Sequence, residues 1–193
     1  GIFFKNFFLD IGTPKNYFSA QKNLIKYMTK PAIFLDRDGT INRDKGYTYK
    51  TKDLKFLKGV IKGLQLITKK NFYIFIVTNQ AGIAKGYFTI KQFENFQKFM
   101  KRKLINQKIF INDIEYSPYH PHGKLKRFKK RSNLRKPGNL MIKKLMTRWP
   151  IDFDKSLMIG DKKTDELCAK KSGLDFFYTK NDFFSLIRKK INS

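Results

Sequence analysis

Two stretches of the chain are apolar at every position for the length of a strand. Ala32–Leu35 runs into Asp36, and Phe72–Val77 runs into Thr78-Asn79-Gln80. Apolar runs without alternation, bounded by turn residues, belong to strands buried on both faces. Ile109–Tyr116, Ser156–Ile159 and Asp175–Tyr178 predict three more strands. Between the strands, apolar residues recur at helical spacing. Leu57, Val60, Ile61, Leu64 and Ile67 predict a helix over about 57–70, and Phe93, Phe96, Phe99, Met100 and Leu104 a longer one, capped by Thr89 and running to about Gln107. Leu140, Ile142, Leu145, Met146 and Trp149 predict another helix, Thr164 opens one to about Lys171, and a last one covers Asp182–Ile191. Near the start, Thr13-Pro14 reads as an N-cap followed by Pro in the first turn of a helix. Strands alternating with helices predict an α/β fold: a doubly wound, Rossmann-like parallel sheet of about five strands with helices on both faces. Between Asp36 and Thr78 there is room for one loop, one helix and one strand, so no cap domain is expected.

Polar residues cluster where these strands end. Asp36 and Asp38 stand two apart after the first strand, followed by Gly39 and Thr40. Asp is common in turns, which alone would explain them. However, the carboxyl edge of a parallel sheet is also where open α/β folds place their chemistry. Three more pieces follow in order: Thr78-Asn79, Lys136-Pro137, and Gly160-Asp161 with Asp165 four residues on.

Composition narrows the classes. A chain of 193 residues, 41% hydrophobic and with 20 Phe, can bury a substantial core and is not a disordered polyelectrolyte. No apolar run approaches the roughly 20 residues needed to cross a bilayer. The single Cys168 excludes an internal disulfide and fits a reducing cytoplasm. The formal net charge of +27 favours anionic partners. Lys outnumbers Arg by 34 to 8, spread along nearly every segment, whereas nucleic-acid readers concentrate Arg. A nucleic-acid partner is therefore not expected, and the charge fits a biased composition.

Together the four pieces resemble the four motifs of the haloacid dehalogenase superfamily of phosphatases, over residues 32 to about 180. The resemblance implies roles. Asp36 would attack phosphorus through a carboxylate oxygen, and Asp38 would protonate the leaving alkoxide and later deprotonate water. Thr78 and Lys136 would neutralise the transferring phosphoryl oxygens. Asp36, Asp161 and the backbone carbonyl of Asp38 would hold Mg²⁺, with Lys162 and Asp165 supporting from behind. Finer matches are FLDRDGTIN, Asp44-x-Gly46-Tyr47, VTNQAGIAKGYFT and Arg135-Lys136-Pro137. These are similar to heptose bisphosphate phosphatases and their histidinol-phosphate phosphatase relatives. Substrate contacts are then expected from Arg43, Asp44, Gly46, Tyr47, Asn79, Gln80, Lys85 and Arg135, with Arg135 suited to a second phosphate.

In that family the loop before the Arg-Lys-Pro usually holds a structural zinc. Here Ser117, Tyr119, Ser132 and Leu134 stand at the four ligand positions, leaving only His120 and His122, which read as loop residues. No structural zinc is expected, and Tyr119, Leu125 and Phe128 are the apolar residues available to hold the loop. A further resemblance covers residues 10–27, DIGTPKNYFSAQKNLIKY, which are similar to the carboxyl-terminal end of sugar-phosphate nucleotidyltransferases. It divides the chain into a tail or linker, 1–28, and a phosphatase domain, 29–193, and implies a fused or associated nucleotidyltransferase.

The expectation is a cytoplasmic, Mg²⁺-dependent phosphomonoesterase acting on the 7-phosphate of a D-glycero-D-manno-heptose 1,7-bisphosphate. The alternatives are a histidinol-phosphatase, a nucleic-acid 3′-phosphatase, and a non-catalytic remnant that binds anions or a partner.

Overall fold

The computed structural model describes residues 11–179 and 182–191. Phe3, Phe4, Phe7 and Phe8, which read in the sequence as a short strand-like run, lie outside them. Among the described residues five strands form one parallel sheet in the order β3-β2-β1-β4-β5. They are β1 (Lys30–Leu35), β2 (Tyr73–Asn79), β3 (Asp113–Ser117), β4 (Ile151–Gly160) and β5 (Asp175–Tyr178). Among the described residues seven helices accompany them: α1 (Pro14–Met28), α2 (Val60–Lys69), α3 (Ala81–Ala84), α4 (Ile90–Ile105), α5 (Leu140–Arg148), α6 (Lys163–Ser172) and α7 (Phe183–Ile191). No helix among the described residues is long and apolar enough to cross a membrane.

The unalternated strands bury both faces. Ile33, Leu35, Ile74, Ile76 and Ile159 pack with side chains of α2, α4 and α7, while Ala32, Phe34, Phe75, Val77 and Met158 pack with those of α5 and α6. Residues 36–78 hold only a loop, one 3₁₀ turn, α2 and β2, with no inserted domain. The predicted caps form: Thr13 accepts from Asn16 N, and Thr89 makes a reciprocal capping box with Gln92.

Two strands differ from the sequence pattern. Ile109 and Ile111 are buried, but they precede β3 rather than join it. Asn112 takes the ladder's place there, its N–H donating to Ile74 O and its side-chain oxygen accepting from Ile74 N. Strand β4 begins five residues earlier than its apolar run, because its first half carries exposed polar residues that disguise it. A register shift opposite Pro31–Ile33 is bridged by Ser156, whose hydroxyl accepts from Ala32 N and donates to Asp152 O.

Sheet order places the active end. From β1 the chain winds outward through β2 and β3, then returns to β4 on the other side of β1. The carboxyl ends of β1 and β4 therefore flank the point where winding reverses, the crevice in which such sheets bind ligands.

Candidate active site

A cavity of about 430 Å³ opens over this edge. Asp36 follows β1, Thr78 and Asn79 end β2, Asp161 follows β4, and Lys136 arrives from the loop before α5. Lys136 is 2% exposed, and its ammonium lies 2.6 Å from Asp36 Oδ1 and 2.7 Å from Asp165 Oδ1. It also donates to Val77 O at 2.8 Å. Desolvation pulls the lysine pKa down, but the charges of Asp36 and Asp165 outweigh it and the net shift is upward. Asn79 fixes the Lys136 backbone in both directions, donating to its carbonyl at 3.0 Å and accepting from its N–H at 2.9 Å.

Asp36, Asp161 and Asp165 each bring a carboxylate oxygen within 4.8 Å of the others. Asp161 Oδ1 is buried without a hydrogen-bond partner among the described residues. Burial, the Asp36 charge and the Asp165 charge raise the Asp161 pKa to about 6, against a weaker downward pull from Lys162. Converging carboxylates with an unpaired oxygen fit a hard divalent cation. Gly39 makes room for this packing: at φ +90, a Cβ there would lie 2.2 Å from Asp161 Oδ2. Asp165 is already engaged, accepting from Lys162 N at 3.0 Å as well as pairing with Lys136. That leaves it a supporting group.

The raised Asp161 pKa has a testable sign. The folded state holds that proton more tightly than the unfolded chain, so stability falls as pH rises from about 4 to about 6 and stays lower above. Asp161→Asn removes the charge. In metal-free protein it should raise the melting temperature at pH 7.5 by about 3 °C and leave it unchanged below about pH 4. Scanning calorimetry at both pH values checks this, and equal shifts at the two would sink the electrostatic cause.

The rim carries most of the expected substrate residues. Lys85 donates to Tyr47 Oη at 2.7 Å, and Asp44 accepts from Gly46 N at 2.8 Å and pairs with Lys162 at 3.1 Å. Arg135 reaches the wall from the opposite loop and donates to Tyr119 O at 3.4 Å. Gln80 faces the cavity and donates to both Thr78 Oγ1 and Asp38 Oδ2. Arg43 is exposed and does not line the cavity. His120, which the sequence marks only as a loop residue, lies in the wall, and burial with the charges of Arg135 and Lys85 lowers its pKa. Arg37 was invisible to pattern reading, although it binds Asp38 directly.

Ser117, Tyr119, Ser132 and Leu134 stand in a loop held by contacts within the chain. Ser117 Oγ accepts from Tyr119 N, and Ser132 Oγ accepts from Leu134 N. Leu134 packs on the core, Phe128 joins the cluster of Ile83, Phe88 and Phe93, and Lys130 sits over the Tyr119 ring. Leu125 contributes its backbone rather than its side chain, donating to Ala84 O while the side chain stays exposed.

A family model described as HAD-hydrolase-like matches residues 133–186. The chain is 41% identical over 139 residues to a D-glycero-beta-D-manno-heptose-1,7-bisphosphate 7-phosphatase of Escherichia coli, covering 72% of this chain and 73% of that protein. It is 32% identical to the protein of the same name from Rhodopseudomonas palustris, covering 84% and 90%. Among solved structures, the D,D-heptose 1,7-bisphosphate phosphatase of B. bronchiseptica, complexed with magnesium and phosphate, matches with a TM-score of 0.70 at 23% identity, covering 84% and 86%. With these relatives and this site, the chain belongs to the haloacid dehalogenase superfamily of hydrolases, among its heptose bisphosphate phosphatases.

Proposed function

We propose that this phosphatase removes the 7-phosphate of D-glycero-D-manno-heptose 1,7-bisphosphate through an aspartyl-phosphate on Asp36, in the cytoplasm, on the route to nucleotide-activated heptose. One observation carries the mechanism: Asp36 is nine-tenths buried at the switch point, and the buried Lys136 ammonium holds one of its oxygens. A carboxylate so fixed can attack phosphorus in line while Lys136 and Thr78 neutralise the equatorial oxygens. Asp38 gives its proton to the departing sugar oxygen as the P–O bond breaks, and takes one back from the water that hydrolyses the acyl phosphate. Asp36 and Asp161, with the Asp38 carbonyl, would hold Mg²⁺, which supplies charge neutralisation to the phosphoryl group when bound. Arg135 and Lys85, which also line the cavity, are suited to the second phosphate.

The serine, tyrosine and leucine at the former ligand positions support a loop held by contacts instead of zinc. The tail, residues 1–28, is proposed as the end of a nucleotidyltransferase unit. In support, Ala20 is the one buried residue among those of α1 whose burial is described, and Tyr73 Oη bonds Met28 O where the sheet domain begins.

A turnover screen tests the substrate. With Mg²⁺ present, heptose 1,7-bisphosphate should exceed histidinol phosphate and a 3′-phosphorylated oligonucleotide by at least about 100-fold in kcat/KM, a gap of about 3 kcal/mol. A zinc-selective chelator should leave turnover and melting unchanged, whereas EDTA should stop turnover. Preference for histidinol phosphate or the oligonucleotide would overturn the assignment, as would loss of structure on zinc removal.

A further inference from the structure

Arg37 stands between the two aspartates of the first motif, and it is the largest fully buried side chain among the described residues. Its guanidinium lies 5.5 Å from the Phe93 ring centre and 4.8 Å from that of Phe96. Nε donates to Asp38 Oδ1 at 3.0 Å, and Nη2 donates to Asp38 Oδ2. Nη2 also reaches Thr48 O at 2.7 Å and Gln80 Oε1 at 3.3 Å. Two amides complete the carboxylate: Asn42 donates to Oδ1 at 2.9 Å, and Gln80 Nε2 to Oδ2 at 3.0 Å.

Stability does not account for this arrangement. Nη1 is buried with no partner among the described residues, and a buried ion pair is commonly no more stabilising than a well-packed apolar side chain of the same volume. What the guanidinium adds is direction. Its planar fork meets both carboxylate oxygens at once, which a flexible ammonium cannot do.

We propose that Arg37 is a positioning residue: it fixes the Asp38 carboxyl in the orientation from which it serves the leaving group and then the attacking water, and Gln80 ties that orientation to Thr78. The inference rests on the acid–base role given to Asp38 above. In the first step Asp36 Oδ bonds to phosphorus, the phosphorus–sugar oxygen bond breaks, and the Asp38 proton goes to that oxygen. In the second, water oxygen bonds to phosphorus, the Asp36–phosphorus bond breaks, and a water proton returns to Asp38. A protonated carboxyl keeps acceptor capacity on both oxygens, so the Arg37 fork persists through the cycle while the amide donors yield.

A double-mutant cycle separates positioning from a general structural role. Phosphate release from a primary sugar phosphate and from an aryl phosphate is followed for wild type, Arg37→Met, Asp38→Asn and the double variant, with Mg²⁺ saturating. Arg37→Met should lower kcat on the sugar phosphate about 100-fold, within the range of general acid–base catalysis, with KM changed less than about threefold. The loss on the aryl phosphate, whose leaving group departs without a proton, should be about tenfold or less. In the Asp38→Asn background the same change should cost less than about threefold, and Arg37→Lys should recover only part of the loss. Additive losses, or equal losses on both substrates, overturn the proposal. If Arg37→Met does not fold, Gln80→Leu is run through the same cycle, with the same pattern expected at about tenfold and the same outcomes overturning it. Asp36→Asn is measured alongside. Its retained turnover would sink the reaction itself, whereas an additive cycle with an inactive Asp36→Asn sinks the Arg37 inference alone.

Discussion

Asp36→Asn is expected to abolish phosphate release from every substrate, by about 10⁴-fold or more, with the fold intact. The amide is nearly isosteric with the carboxylate but lacks the lone-pair charge that attacks phosphorus, so no acyl phosphate forms. Structure should survive for a local reason. Lys136 loses one partner but keeps Asp165 at 2.7 Å and Val77 O at 2.8 Å. The substitution also removes a charge that repels Asp161. Melting temperature and circular dichroism should therefore stay close to wild type. The chemical signature is sharper still: acid-quenched wild type should carry covalent phosphate that hydroxylamine releases, and Asp36→Asn should carry none. Turnover or trapped phosphate in the variant would remove Asp36 as nucleophile.

How much of this was legible in the sequence follows from where information sits along the chain. Asp36, Thr78 and Asp161 each close an apolar run, so strand periodicity alone delivers them to one sheet edge. Their order with Lys136 then resembled a known family, which the relatives bear out. Contacts that cross the fold left no local trace. Arg37 is set by Phe93 and Phe96 on a helix more than 50 residues away, and nothing near Arg37 in sequence marks it as buried. Asn79, expected to meet substrate, lines the cavity, and its amide also holds the Lys136 backbone, a pairing that depends on how the loop before α5 returns. Strand boundaries failed for a different reason. Burial and ladder pairing are separate properties: Ile109 and Ile111 are buried outside the ladder, and the first half of β4 is in the ladder but polar.

Lys136→Met should produce the largest combined loss of activity and stability. The lysine is the cation placed directly between the Asp36 and Asp165 carboxylates, with Asp161 close by. Removing it leaves buried negative charge uncompensated, a change that costs about 3–5 kcal/mol in other proteins. The pH dependence carries the diagnosis. In wild type the lysine pKa is raised, because its two carboxylate partners outweigh desolvation, so its contribution is complete at neutral pH and is lost only as pH rises above about 10.5. In the variant the deficit should be largest near pH 8 and shrink toward pH 5, as Asp161, at about 6 in wild type, gains its proton in the folded state. Added Mg²⁺ should recover part of the stability by binding the folded state alone. Activity should not recover with it. The loss of a fixed positive charge at the phosphoryl oxygens is worth about 10²–10³ in kcat. Urea denaturation at the two pH values, with and without Mg²⁺, separates the effects, and a deficit of the same size at pH 5 and pH 8 would mean that packing, not charge, is what Lys136 supplies.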